Sequence, residues 1–495
     1  MTFFHGCGII ILIYPDDSGF YGKDMKVMIR FGTGGWRAVI GDDFIRENIE
    51  RVAAGVAALR AEIGGTTPII VGYDRRFLSD SAAKWIAGVL AAYDIQVMFL
   101  NRSAPTPLIM HTVKKLDLDF GLEVTASHNP PEYNGIKLIV KEGRDAPAET
   151  TAHLEEIIAN LGEVKSLDFN DAVANGKITY IKNPFNPFID DILAVMDTKA
   201  IRERGMRILF DPMHGSSVYP LMVIFHTTRC TIDLIHGNKD AYFGGSMPAP
   251  TESTLTDLSQ KVVAGGYDLG IGVDGDGDRL GIIDSNGRYI SANEILVMLY
   301  YYLHEYKGWK GPVVRNLATT HMLDKVAESF GETCYEVPVG FKWISSKIDE
   351  VDAVLGGESS GGLTVRGHIH GKDSVYAAAL FVEMMSVTGK SPSELMDELT
   401  AKYGKFVMSE FNLHFDPAEK ERINEVIFTE KKLPEFGEKI VKVAYEDGCK
   451  VYFENGFIIC RFSGTEPLLR IFAEAQTKER ADEYIDAFAK FLGLR

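Results

Sequence analysis

Glu123-Val124-Thr125-Ala126-Ser127-His128-Asn129-Pro130-Pro131-Glu132-Tyr133-Asn134-Gly135-Ile136-Lys137 decides how the rest of this chain is read. An apolar, strand-like run from Leu116 to Val124 leads into it. The break into a polar loop, closed by two prolines and an Asn-Gly turn, then falls at the ligand-binding end of an α/β strand. Ser127 is expected on that loop, presented to a ligand and not packed in the core. Taken alone, the segment suits an ordinary capped turn equally well, because Ser and Asn are common loop residues. Its company elsewhere in the chain decides.

Outward from this loop, Thr67–Tyr73 reads as a strand, Asp80–Tyr93 as an amphipathic helix and Ile95–Leu100 as a strand. Thr106–Lys115 then reads as a helix and Leu118–Val124 as the strand that delivers Ser127, which is βαβ alternation. The grammar returns with strands over Arg207–Asp211, Thr231–Ile235 and Tyr267–Val273 and a helix over Val218–His226, and runs into Asp274-Gly275-Asp276-Gly277-Asp278-Arg279. It returns again with strands over Pro312–Arg315, Thr333–Val337 and Val351–Leu355 and helices over His321–Phe330 and Phe341–Ile348. That third pass ends in Gly356-Gly357-Glu358-Ser359-Ser360-Gly361-Gly362. Residue identities do not repeat, so the recurrence is architectural and not that of a solenoid.

After about Tyr403 strands gather together: Met408–His414, Val441–Ala444, a hairpin of Lys450–Phe453 and Gly456–Cys460 around Glu454-Asn455, and Leu469–Ala473. The helix Lys478–Phe491 closes an α+β unit. A chain of 495 residues suits three or four domains of about 100–150 residues. At the other end, Gly8-Ile9-Ile10-Ile11-Leu12-Ile13-Tyr14 is too short to span a bilayer and lacks a preceding basic residue. Residues 1–24 are expected to be an extension outside the fold, with Met25 or Met28 as candidate starts.

A net charge of -17 argues against nucleic-acid or anionic-membrane partners, so an anionic small substrate would need a local basic pocket. The five scattered cysteines form no Cys-x-x-Cys pair and read as reduced thiols of a cytoplasmic protein.

The loop at 274 carries the sharpest chemistry. Asp274, Asp276 and Asp278 alternate, so an extended backbone would throw their carboxylates to one side while the glycines let the chain bend round an ion. Such hard ligands suit Mg²⁺ or Ca²⁺. Arg279 and Ser285 occupy positions where an EF-hand needs Gly and Glu, which excludes that motif. Arg279 beside the metal argues for a second anion.

Ser127 lacks the Gly-x-Ser-x-Gly elbow, and its immediate neighbour His128 is expected to point away from it, so acyl hydrolysis is disfavoured. A phosphoryl group on Ser127 makes sense of the parts, with a cation on the Asp loop and further positive charge from Lys137 and Arg279. Arg30-Phe31-Gly32-Thr33-Gly34-Gly35-Trp36-Arg37 adds a planar cation after three glycines, without matching a P-loop. Arg461-Phe462-Ser463-Gly464-Thr465-Glu466-Pro467 holds a guanidinium and two hydroxyls around a glycine, the donors a phosphate needs.

Thr125-Ala126-Ser127-His128-Asn129-Pro130, the Asp-Gly-Asp-Gly-Asp-Arg loop, Gly357-Glu358-Ser359-Ser360-Gly361 and the loop from Arg461 occur in the order of the α-D-phosphohexomutase superfamily. From about Met28 onwards the chain resembles that superfamily's phosphoglucomutase/phosphomannomutase branch. The resemblance implies three similar α/β domains with mixed sheets plus a C-terminal α+β domain, arranged around a central cleft. The corresponding boundaries are 25–185, 186–292, 293–402 and 403–495, each domain carrying one motif.

The implied reaction interconverts hexose 1-phosphate and hexose 6-phosphate through a phosphoserine and a hexose 1,6-bisphosphate, with Mg²⁺ as cofactor. By position, Ser127 would be the phosphoserine and a further metal ligand beside Asp274, Asp276 and Asp278. Arg37 and Lys137 would transfer protons or stabilise charge. Glu358 and Ser360 would hold sugar hydroxyls, and Arg461, Ser463, Gly464 and Thr465 the phosphate that is not reacting. Some members carry His where Gly362 stands, so acid–base help from that point is absent here and must come from elsewhere. Val339-Gly340-Phe341-Lys342-Trp343 resembles the loop of glucose-type enzymes, with Lys342 on the substrate, and favours glucose phosphate over mannose or glucosamine phosphate. A Mg-dependent sugar phosphatase would have little use for a second phosphate clamp, and a non-catalytic sugar-phosphate sensor could dispense with Ser127. A monomer or small homo-oligomer is expected.

Overall fold

A short parallel sheet that turns back on itself is built three times in succession. In the computed structural model, which describes residues 29–32, 34–462 and 468–494, the first sheet pairs Phe120–Val124, Ile69–Tyr73, Val97–Phe99 and Ile178–Tyr180 in parallel. Tyr133–Val140 then adds antiparallel to Phe120–Val124, with Val124 opposite Ile136, and Gly35–Val39 extends that edge. The second sheet sets Leu269–Val273, Arg207–Asp211 and Thr231–Leu234 in parallel and returns antiparallel through Leu280–Asp284. The third does the same with Leu355–Gly357, Val313–Asn316 and Cys334–Val337, returning through Leu363–Val365.

The three polar loops of the sequence therefore occupy one topological position, the turn between the last parallel strand and its antiparallel partner. That is the C-terminal edge of the parallel strands, where open α/β sheets bind ligands. The fourth sheet, Val407–His414, Leu468–Ala475, Gly456–Phe462, Cys449–Phe453 and Lys442–Ala444, is antiparallel throughout. Helix Lys478–Phe491 packs on it.

Most elements fall where periodicity puts them, and the helix Thr106–Lys115 and the hairpin turn at Glu454-Asn455 do so to the residue. One assignment is corrected. The expected strand Val351–Leu355 is instead the end of helix Phe341–Val351, closed by Asp352 in the left-handed region at φ 50°, with the strand beginning at Leu355. The helix keeps its apolar face through Phe341, Ile344 and Ile348, a 3.6-residue period that outweighs the β preference of Val351. Gly356 and Gly357 consequently lie in the strand and not in the loop. Met1–Asp24 lies outside the described residues.

The first three units share one continuous hydrophobic cluster, running from Ile70 and Leu108 through Ile271 to Phe381. Its spine is helix Ser374–Thr388, apolar on nearly every side and buried over most of its length, as a helix surrounded by protein must be. Asp373 caps it by accepting the N–H groups of Val375 and Tyr376. The fourth unit has its own core around Ile458, Ile471, Tyr484 and Phe488. It meets the third through Leu317, Ala318, Phe457 and Ile459 and through a buried polar seam. In that seam Lys450 donates to Glu336 (2.6 Å) and to the Leu317 carbonyl (2.7 Å), and Arg315 donates to Glu336 (2.6 Å).

Glu474 closes the same seam. One of its oxygens accepts the His321 N–H at 3.0 Å, the other has no partner, and burial pushes the carboxyl up to about 7. A folded-state value above the unfolded 4.5 means that this group's contribution is fully present below pH 4.5 and lost as pH rises through 7. Glu474→Gln is expected to narrow the stability difference between pH 5 and pH 8 by up to about 3 kcal/mol. Denaturant titrations of both proteins at both pH values check this, and an unchanged difference would contradict it.

Candidate active site

The serine loop begins where Phe120–Val124 ends. Thr125 Oγ1 donates to Asp74 Oδ2 (2.7 Å) and accepts the Ser127 N–H (2.9 Å), and Ser127 takes a φ of 53°. Two expectations fail here. Ser127 is buried and not presented, because the Asp loop closes over it: its Oγ donates to Asp274 Oδ2 at 3.1 Å. His128 does not point away, since its Nδ1 lies 3.2 Å from the same Oγ. The left-handed φ replaces the extended backbone on which adjacent side chains diverge, and folds the imidazole beside the hydroxyl. Burial, with Arg279 and Arg37 nearby, holds the imidazole well below its ordinary range, so it is neutral. The hydroxyl thus donates to the Asp274 carboxylate with a neutral ring nitrogen beside it.

The Asp loop is a turn and not an extended segment, with Gly277 at φ 77°. It still gathers Asp274, Asp276 and Asp278, buried, with one oxygen of each within 4.8 Å of the others. Asp274 Oδ1 accepts the N–H groups of Asp278 (2.8 Å) and Arg279 (3.0 Å), which shapes the turn. Neighbouring units grip the loop from both sides. Thr106 donates its N–H to the Asp276 carbonyl (2.8 Å) and its hydroxyl to Asp276 Oδ2 (2.8 Å), while Ser374 Oγ donates to the Gly277 carbonyl (2.6 Å). Gly275 is required by close approach, since a Cβ there would meet the Ser127 carbonyl at 2.9 Å.

Lys137, on Tyr133–Val140, donates to Asp276 Oδ2 (2.7 Å) and Asp278 Oδ2 (2.9 Å). Burial works against its charge, and Asp276, Asp278 and Asp145 outweigh it, so the ammonium is held above its ordinary range. After these bonds Asp276 Oδ1 and Asp278 Oδ1 remain buried without hydrogen-bond partners. Orphaned carboxylate oxygens beside Asp274 Oδ2 are what a hard divalent cation completes, so the residues fit Mg²⁺.

Arg37 donates to Asn129 Oδ1 (2.6 Å), which ties it to the serine loop. Arg279 Nε pairs with Asp278 Oδ1 only at 3.8 Å, beyond hydrogen-bond reach, and is otherwise buried without a hydrogen-bond partner, open to a second anion. Glu358 accepts from Ser360 Oγ (2.6 Å) and Asn316 Nδ2 (3.3 Å), and this loop reaches the Asp loop where Leu280 N–H donates to the Gly361 carbonyl (3.1 Å). Lys342 lies over the Trp343 ring at 5.4 Å, and among the described residues no hydrogen bond or ion pair joins it to the cluster. Arg461 donates twice to Asp447 Oδ1 (3.0 and 2.8 Å), and Asp447 Oδ2 accepts the Val339 N–H (2.7 Å). The expected clamp arginine is thereby tied to the loop that carries Lys342. Ser463, Gly464 and Thr465 lie outside the described residues.

Lys372 was not singled out from the sequence. Its Nζ lies 2.9 Å from Asp278 Oδ2, and its stem crosses the face of Gly362 so closely that a Cβ there would sit 2.1 Å from Lys372 Cδ. The space over residue 362 is filled by a lysine arriving from elsewhere in the chain. Its one signal is position, a cation directly before the Asp373-Ser374 helix cap.

Asp276→Asn is expected to weaken Mg²⁺ binding about tenfold or more, because one anionic ligand is lost. Calorimetric titration of metal into the protein reads this without substrate; unchanged affinity would put the metal elsewhere.

Comparison with known proteins follows the same division. Family profiles for phosphoglucomutase/phosphomannomutase match in order: alpha/beta/alpha domain I over residues 28–165, domain II over 186–287, domain III over 291–403 and the C-terminal domain over 418–491. A phosphoglucomutase/phosphomannomutase of Thermococcus kodakarensis is 30% identical over 465 residues, covering 93% of this chain and 98% of its own. A phosphoglucosamine/phosphogalactosamine mutase of Sulfurisphaera tokodaii is 27% identical over 470 residues, covering 93% and 98%. The open form of the Paramecium phosphoglucomutase parafusin shares the fold, with a TM-score of 0.81 at 19% identity over 95% of each chain.

Proposed function

Because the chain belongs to the phosphoglucomutase/phosphomannomutase family and is thus a phosphohexomutase, we propose that it interconverts glucose 1-phosphate and glucose 6-phosphate through phosphorylated Ser127 and a glucose 1,6-bisphosphate. The observation that carries this reading is the Ser127 hydroxyl, buried against Asp274 within a cluster whose other members are Asp276, Asp278, Lys137 and Lys372. Placing a nucleophile among paired cations and carboxylates suits phosphoryl transfer, where catalysis is mostly positioning and charge stabilisation.

In the proposed transfer the bond from Ser127 Oγ to phosphorus breaks and a bond from a sugar hydroxyl to phosphorus forms. The hydroxyl's proton ends on Ser127 Oγ, whose O–H donates to Asp274 Oδ2 in the resting structure with His128 Nδ1 3.2 Å away. Lys137, Lys372 and Arg279 hold positive charge around the moving group, and Arg37 steadies the loop through Asn129. Bound on Asp274, Asp276 and Asp278, Mg²⁺ would supply a Lewis-acid field for phosphoryl oxygens. Glu358 and Ser360 would grip sugar hydroxyls, and Arg461, released from Asp447, would meet the far phosphate. Lys372 would do what a histidine at 362 does elsewhere.

Glucose is chosen on the Gly340-Phe341-Lys342 loop. No helix among the described residues is long and apolar enough to cross a membrane. Comparing kcat/KM for glucose 1-phosphate, mannose 1-phosphate and glucosamine 1-phosphate tests the assignment. Glucose 1-phosphate should lead; a preference of about tenfold or more for either other sugar, equal to about 1.4 kcal/mol in the transition state, would overturn it. Ser127→Ala should keep the fold and lose turnover on all of them.

A further inference from the structure

The turn that carries Ser127 presents its backbone carbonyls inward, and one side chain receives them. Arg76 is fully buried and donates from Nη2 to the carbonyls of Ser127 (2.6 Å) and Asn129 (2.5 Å), and from Nη1 to those of Pro130 (2.8 Å) and Tyr133 (3.1 Å). Its Nε lies 3.4 Å from Asp74 Oδ2. Asp74 accepts from the Arg76 N–H (2.9 Å), Ser79 Oγ (2.7 Å) and Thr125 Oγ1 (2.7 Å), and Thr125 in turn holds the Ser127 N–H (2.9 Å). Both peptide groups of Ser127 are therefore fixed from the end of one strand, Ile69–Tyr73.

The second unit closes over the same group. The Phe243 ring stacks on the Arg76 guanidinium at 4.8 Å, and Phe243 Cε1 lies 3.6 Å from where a Gly275 side chain would stand. Phe243 thus fills the space between Arg76 and the Asp loop. We infer that Arg76 is the positioning residue that holds Ser127 in its left-handed conformation against the Asp loop, and that Phe243 makes this hold depend on the docking of the metal-binding unit. The inference rests on the mutase reading and deepens it. It explains how a loop residue keeps a φ of 53° that a serine does not favour. Nothing in the transfer itself requires Arg76 to touch substrate.

Arg76→Lys keeps the charge but offers three N–H donors where the turn presents four carbonyls, in no planar fork. Phe243→Leu removes only the ring and leaves the buried polar network whole. The test loads Ser127 with phosphate, adds hexose 6-phosphate, and measures how the phosphoryl group divides between sugar and water, alongside substrate KM. A displaced loop loses aim more than it loses binding, so in Arg76→Lys the ratio of transfer to hydrolysis should fall up to about 100-fold while KM stays within about threefold. Phe243→Leu should move it the same way by about 3- to 10-fold.

Hydrogen exchange adds a readout that needs no activity. Amides of 125–134 should exchange faster in both variants while those of 269–273 keep their protection. A wild-type protein that never carries phosphate on Ser127 would defeat the mutase reading, and the exchange result would then decide the inference about Arg76. A wild-type division between sugar and water in both variants, or unchanged protection of 125–134, would overturn it. If Arg76→Lys does not fold, Phe243→Leu decides by the same two measurements.

Discussion

Three aspartates are buried with carboxylate oxygens within 4.8 Å of one another where three sheets meet, and like charges at that spacing persist only with compensation. Much of the architecture around them supplies it. Lys137 arrives from the first unit, Lys372 from the third, and Arg279 from the loop itself. Two carboxylate oxygens are still left over. Three cations thus face three carboxylates, and what remains is a matter of coordination: a hard divalent cation would complete the oxygens that no donor reaches.

That demand accounts for how the units are joined. Each of the first three ends its last parallel strand in a turn at the same place, so the serine loop, the Asp loop and the Glu358 loop converge if the sheets share a core, as they do. The apolar helix Ser374–Thr388 runs through that core, and its first residue holds the Gly277 carbonyl, so packing and the charge cluster are secured by one element. The fourth unit stands apart, with its own core and a polar seam to the third in which Lys450, Arg315 and Glu336 pair. Buried ion pairs fix registry more surely than they add stability.

Much of this was legible in the sequence, because alternating strands and helices mark the α/β units and each unit's special loop directly follows a strand. The gathering of Asp274, Asp276 and Asp278 was legible too, since three carboxylates with intervening glycines point to one cluster, and the structure brings them together. What was not legible is conformational or distant. Nothing in Ser127-His128 announces a left-handed φ, so the serine's burial and the histidine's return to it were missed. Val351 read as a strand because its β-branched preference is local, while the helix period that overrode it runs back to Phe341. Lys372 and Arg76 act on partners far away in the chain, and neither sits in a motif of its own. Lys342 is the converse case, a residue singled out by its loop that stands outside the cluster.

The central claim is that Ser127 passes a phosphoryl group to a sugar and not to water. The most direct measurement is a single turnover with enzyme carrying radiolabelled phosphate on Ser127, mixed with excess glucose 6-phosphate in Mg²⁺ and quenched over time. The account predicts that label leaves the protein as sugar phosphate, glucose 1,6-bisphosphate first, at a rate no slower than steady-state turnover. Label released as inorganic phosphate at that rate, or retained on the protein while turnover proceeds, would contradict it.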